Sequence, residues 1–141
     1  MMRTIRLMLT MVLILSALAC NAQSNRETTT AGKPGKVEAY YFHFNARCVT
    51  CKTVEAEAKA DIEMLYPELV KSGKVSFKAV NLDEPSSKAI AEKLGVNGQT
   101  LLLVNGTQKI NITNEGFMYA RSNPEKLKEI IKEKVDGLLI L

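Results

Sequence analysis

The chain has no tryptophan, a single histidine, three cysteines and no block of basic residues. Each scarcity closes off a class of function. A nucleic-acid surface needs its basic residues concentrated on one face; here 19 lysines and arginines are scattered among 15 acidic residues, so no such partner is expected. A structural zinc site wants four ligands, and a second Cys-x-x-Cys pair is missing. Nothing in the 141 residues could itself hold a flavin, no internal repeat is visible, and no stretch suggests a second domain.

The front of the chain, "MMRTIRLMLTMVLILSALAC", has the parts of a secretory signal: Arg3 and Arg6, an apolar run from Leu7 to Leu18, then small residues. That run falls short of the ~20 apolar residues that span a bilayer. Residues 1–19 therefore read as a cleaved signal, with an uncleaved anchor as the alternative. "LSALAC" resembles the lipobox of bacterial lipoproteins, which implies a lipid on Cys20 and a membrane tether. An ordinary signal-peptidase cut just before Gln23 is the other possibility. Both place the mature chain outside the cytoplasm, in the periplasm or on a membrane surface. Loss of Arg3 and Arg6 lowers the formal charge of +4 by two. Residues 20–35 are polar, threonine-rich and without apolar period, and read as a disordered tether. Sixteen such residues reach at most ~50 Å. The folded domain is expected over residues 36–141, long enough for a core without disulfide staples.

Within it, "VEAYYFHF" (37–44) reads as a strand. Val54, Ala58, Ile62, Leu65 and Tyr66 recur at helical spacing, closed by Pro67 and Gly73. "VSFKAVNL" (75–82) reads as a second strand, and "SSKAIAEKLG" as a short helix ending at Gly95. "TLLLV" suits a strand buried on both faces, Asn105-Gly106 signals a hairpin, and "QKINIT" supplies its partner. A last helix opens with Asn123 as cap and Pro124 at its first position, with Leu127, Ile130, Ile131 and Val135 on one face. The order is β-α-β-α-β-β-α, an α/β domain in which a parallel βαβ unit carries a hairpin and a closing helix. "NEGFMYA" falls between the last strand and the last helix. There Phe117, Met118 and Tyr119 read as core packing, with a docking surface as the alternative.

This order puts "CVTC" at a strand end and a helix start. Free backbone N–H groups and the positive end of the helix dipole stabilise an anion there. The Cys48 thiol is thus expected below the free value of ~8.5, helped by Arg47 and Lys52 on either side. Cys51 lies within disulfide reach, one turn deeper. Three uses of the pair stay open on these grounds. A purely structural disulfide would close a very small ring and stabilise little. Soft-metal or metalloid capture would draw on Cys48 and Cys51 with His43 as third ligand. Redox exchange would make Cys48 the attacking thiol and Cys51 the resolving one. His43 could also move a proton near Cys51, and Arg47 could tune the thiolate or orient an anion.

The element order with Cys-x-x-Cys at the first helix resembles the thioredoxin fold over residues 36–137. The resemblance implies a mixed four-stranded sheet flanked by helices and a redox-active Cys48–Cys51 disulfide with no other cofactor. "LGVNGQTLLLVNG" resembles the stretch that carries the cis-proline loop of thioredoxins, but Gln99 stands where the proline would be. Gln99 and Thr100 would then line the site. The position of thioredoxin's buried acid falls at Phe42, which cannot move a proton. A narrower resemblance rests on "YYFHFNARCVTCKTVE", "GQTLLLV" and "GFMYARSNPEKLK", which look like the ArsF-type thioredoxin-like proteins of bacterial arsenic resistance. It implies a subunit of a system that reduces nitrophenyl compounds, working as a monomer with a membrane electron donor or a reductase subunit as redox partner. A dithiol binding protein for arsenic(III) is the alternative, since trivalent arsenic is soft and takes paired thiolates.

Overall fold

The computed structural model describes residues 35–140, so the signal, the tether before Gly35 and Cys20 lie outside the described residues. Strands β1 (Val37–His43), β2 (Val75–Asn81), β3 (Thr100–Asn105) and β4 (Gln108–Asn111) form one sheet in the order β2-β1-β3-β4. β1 is parallel to β2, with His43 opposite Asn81, and antiparallel to β3, with Phe42 opposite Thr100. The parallel pair needs a crossover, which is supplied by helix α1 (Val49–Leu65) and the short α2 (Pro67–Lys71). A 3-10 turn (Pro85–Ser87) and α3 (Lys88–Leu94) follow β2, α4 (Thr113–Tyr119) follows β4, and α5 (Pro124–Leu139) closes the domain.

Alternation along the central strand divides the core. Val37, Ala39 and Tyr41 point to the face covered by Val54, Ala58 and Ile62 of α1 and by Leu127, Ile131, Val135 and Leu138 of α5. Tyr40 and Phe42 point to the other face, against Ala91 and Leu94 of α3. β3 supplies both sides, and Leu101 to Asn105 are buried without a break. That is the continuous apolar strand its sequence describes. Helix ends follow local chemistry. The Asn123 side chain accepts the Lys126 N–H with Pro124 at the first helical position, and Gly95 closes α3 in the left-handed region at φ 72°.

Several boundaries differ from the sequence reading. Phe44 lies beyond β1, 38 % exposed, because the chain turns there toward α1. Tyr66 caps α1 rather than lying within it; its ring packs in the core cluster with Val54, Ala58 and Ile62, and its hydroxyl donates to Asp136 Oδ1 (2.7 Å) and Lys132 O (3.2 Å) on α5. Pro67 opens α2 rather than only ending α1. In the hairpin, Asn105 is the last residue of β3 and the turn is Gly106-Thr107, with Gly106 at φ 59°. The buried Asn105 amide donates instead to Leu138 O (2.5 Å), holding the end of α5 against the sheet. The largest difference is α4, a helix where no element was expected. It packs on α1 because Gly116 has no side chain: a Cβ there would sit 3.0 Å from Val54 Cγ1 and 3.3 Å from Leu101 Cδ2. Phe117 and Tyr119 pack against the core, while Met118 is 61 % exposed. At the chain end Leu138 extends the buried stripe but Ile140 faces solvent.

Candidate redox site

Cys48 is the N-cap of α1, with extended backbone (φ −73°, ψ 165°). Its sulfur accepts the Cys51 N–H at 3.1 Å, and its carbonyl accepts the first helical N–H, from Lys52. A sulfur thus takes the place of the usual capping oxygen. No acidic residue sits in the first turn of α1 to oppose negative charge there. Cys48 and Cys51 are joined in a disulfide with Cα atoms 5.1 Å apart. The two sulfurs are not equivalent: Cys48 is exposed, whereas Cys51 is only 5 % exposed and faces the core.

Tyr41 lies beneath the first turn. Fully buried, its hydroxyl donates to Cys51 O at 2.9 Å and accepts from Gln99 Nε2 at 3.4 Å. Burial pushes the phenol up to about 12, with Arg47 pulling it down and Glu55 and the Gln99 bond acting on it more weakly. It is therefore a neutral hydrogen-bonding group throughout the physiological range. Phe42, where the sequence resemblance put the position of the buried acid, points to the opposite face of the sheet and packs with Tyr40, Ala91 and Leu94. The place under the second cysteine is filled by its neighbour. Strand alternation was the signal that could have found it, since Tyr41 shares the parity of Val37 and Ala39.

The other sequence candidates divide. Gln99 reaches the site through Tyr41, from a loop in which every described peptide bond is trans. Thr100 does not project a free hydroxyl: its Oγ1 donates to Gly98 O at 2.9 Å and stabilises the loop itself. Arg47 forms a half-buried ion pair with Glu55, one turn beyond Cys51, so its guanidinium is already engaged. Glu55 was absent from the sequence reading, although its spacing from Cys51 puts it on the same side of α1. His43 donates from Nδ1 to Phe44 O at 3.1 Å and its ring lies 6.2 Å from that of Tyr41. Among the described residues no three of His, Cys, Asp and Glu come together as a metal-holding group, the two cysteines being joined as a disulfide.

The loop that presents Cys48 is tied down. Asn45 N–H donates to Asp83 Oδ2 (2.6 Å), and Asn81 Nδ2 donates to Asn45 Oδ1 (2.8 Å). These bonds join the β1–α1 loop to the turn after β2. Beside them opens a groove of about 350 Å³ lined by Phe44, Leu82, Asp83, Pro85, Ala91 and Val96 among others.

No protein-family model matches the chain, and a search of curated proteins returns no match. Solved structures do match. The J-Trx1 fragment of ERdj5 superposes with a TM-score of 0.51 over 80 % of this chain at 16 % identity, and the chain spans about half of that fragment, 48 %. The fold is the thioredoxin fold. Two further similar structures are Trxlp from Edwardsiella tarda EIB202 (TM-score 0.46, 20 % identity, 73 % of this chain and 86 % of that one) and oxidised thioredoxin O2 from Arabidopsis thaliana (TM-score 0.47, 19 % identity, 74 % and 80 %). Within that fold, the mixed four-stranded sheet, the flanking helices and a Cys-x-x-Cys pair at the first helix all stand as the sequence led one to expect.

Proposed function

We propose that the chain is an extracytoplasmic thiol-disulfide oxidoreductase in which Cys48 attacks and Cys51 resolves. One observation carries this reading: an exposed Cys48 sulfur at a helix N-cap, disulfide-bonded to a buried Cys51. In the reduced chain the Cys48 thiolate attacks one sulfur of a partner disulfide. A mixed disulfide forms and the partner's other sulfur leaves as a thiolate, which takes a proton from water. The Cys51 thiol loses its proton and attacks the Cys48 sulfur, which releases the partner's second thiol. Two electrons have passed to the partner, and the Cys48–Cys51 bond is closed again. A thiol donor on the membrane side restores the dithiol.

The finer reading is that the chain, acting as a monomer, hands electrons within a system that reduces nitroaromatic or arsenical compounds. It rests on the sequence resemblance alone. The signal in residues 1–19 and the lipid on Cys20 belong to the same proposal and would hold the domain at a membrane surface.

The test is the reduction potential of the purified mature protein, titrated against thiol buffers, together with Cys51→Ser. A potential near that of thioredoxin, roughly −270 mV, marks a reductant fed by a donor, and one near −120 mV an oxidant. Cys51→Ser should accumulate partners as mixed disulfides on Cys48, and Cys48→Ser should trap none. A pair that never forms a reversible disulfide ends the proposal and leaves dithiol capture of arsenic(III) to be measured directly.

A further inference from the structure

The peptide groups of Cys51 are held on both sides. Its N–H is aimed at the Cys48 sulfur (3.1 Å), and its carbonyl accepts the Tyr41 hydroxyl (2.9 Å). The same hydroxyl accepts from Gln99 Nε2. This makes a path from the loop before β3, through a buried strand residue, to the Cys51–Lys52 peptide, one Cα away from the Thr50–Cys51 amide whose N–H faces the first sulfur. Among the described residues the Tyr41 hydroxyl has no other polar partner, and phenylalanine would fill the same space without it. A hydroxyl at a fully buried position is costly unless it is bonded, and here the bond it donates goes to Cys51 and the one it accepts comes from the facing loop.

We propose that Tyr41 is a positioning residue for dithiol exchange: its hydroxyl holds the Cys51 carbonyl and so, through the Cys51 Cα, limits rotation of the preceding amide whose N–H is aimed at the Cys48 sulfur, and Gln99 anchors that hold to the facing loop. The inference rests on the oxidoreductase reading above. Reduction by a thiol donor adds two electrons and one proton to the Cys48–Cys51 bond and leaves a thiolate on Cys48 and a protonated thiol on Cys51, the donor closing its own disulfide. An N–H bond to a thiolate is charge-assisted and stronger than the same bond to a disulfide sulfur. Holding that N–H in place therefore favours the reduced state over the oxidised one. The device also differs in kind from a buried acid, because a neutral phenol donates a hydrogen bond without taking up a proton from Cys51.

The experiment compares the wild type with Tyr41→Phe, Gln99→Leu and the double variant. Two quantities are read: the pH dependence of alkylation at Cys48 in the reduced chain, and the equilibrium of the disulfide with reduced and oxidised glutathione. Tyr41→Phe should move the alkylation profile to higher pH and shift the glutathione equilibrium about threefold to tenfold toward the disulfide, the loss of one hydrogen bond's worth of selective stabilisation. Gln99→Leu should move both in the same direction by less. The double variant should match Tyr41→Phe, because Gln99 acts only through the hydroxyl. A merely packing role for Tyr41 would alter melting without touching either readout. A folded Tyr41→Phe with the wild-type profile and equilibrium overturns the proposal. Should Tyr41→Phe fail to fold, an unmoved alkylation profile in Gln99→Leu overturns it equally. The alkylation profile needs no reversible disulfide. If the wild type forms none and the profile still moves in Tyr41→Phe, the oxidoreductase reading fails while the positioning role stands.

Discussion

Asp61 gives the domain a stability that falls as pH rises from about 3.8 to just above about 6. It lies on the buried face of α1, 6 % exposed, and its Oδ2 has no hydrogen-bond partner. Burial raises its pKa from the ordinary 3.8 to about 6; the Lys128 ammonium works against this, and Glu57 and Glu125 add to it. Burial outweighs the Lys128 ammonium, which is itself paired with Glu125 at 2.6 Å. The native state therefore prefers the protonated carboxyl more than the unfolded chain does. The resulting stabilisation is complete below about 3.8 and is lost as pH climbs through about 6. The full gap corresponds to about 3 kcal/mol, and the part lying between about pH 5 and about pH 8 to about 1.4 kcal/mol. In urea, with a slope of about 1–3 kcal/mol/M, that is a fall in midpoint of at least about 0.5 M across that range. Asp61→Asn keeps the shape of the protonated side chain and cannot ionise, so its excess pH dependence should vanish and it should gain on the wild type at the alkaline end. The assay is urea unfolding of both proteins at the two pH values, with unchanged slopes as the check on two-state behaviour. Equal pH dependence in the two proteins would refute the reasoning.

Two stability predictions follow from other contacts. Tyr66→Phe removes the hydroxyl that joins the end of α1 to Asp136 and Lys132 O on α5; chemical denaturation should show a loss of about 1–2 kcal/mol with the redox equilibrium unchanged. Gly116→Ala sets a helix-propensity gain of about 1 kcal/mol against overpacking of about 1–3 kcal/mol. The added methyl would meet Val54 Cγ1 at 3.0 Å, so the melting temperature should fall, and should recover when Val54→Ala is added.

What the sequence disclosed depended on whether a residue's role follows from periodicity or from close approach. α1, α5 and the strands were legible because their apolar positions repeat at helical or strand spacing over several turns. Asp61 was within reach by the same rule, since it stands seven residues after Val54 on the stripe that Ala58 and Ile62 define, yet a carboxylate does not look like a core residue. α4 was not legible. "TNEGFMY" is short, begins with turn-forming residues and carries a glycine, all of which read as loop. That glycine is there because the helix lies against Val54 and Leu101, a contact between distant parts of the chain that no local pattern expresses. At the site, the cysteines and Gln99 were visible as a motif. Arg47 was visible too, but its role was not, because its partner Glu55 matters only once the helix has brought the two together.

The position of the disulfide is a consequence of the mixed sheet. β1 is central, so its C-terminal end emerges in the middle of one sheet edge and delivers the first turn of α1 there. β2 is parallel to β1, which brings Asn81 and Asp83 to the same edge, where they hold the loop that presents Cys48. β3 is antiparallel, which brings its start, and with it Gln99, to that edge as well. A wholly parallel sheet would have sent the loop before β3 to the opposite end and left Tyr41 without its anchor. Three segments far apart in sequence thus meet around Cys48 and Cys51, each tied there by hydrogen bonds. A site framed this way leaves Cys48 exposed while Cys51 stays buried, its carbonyl bonded to a residue of the central strand.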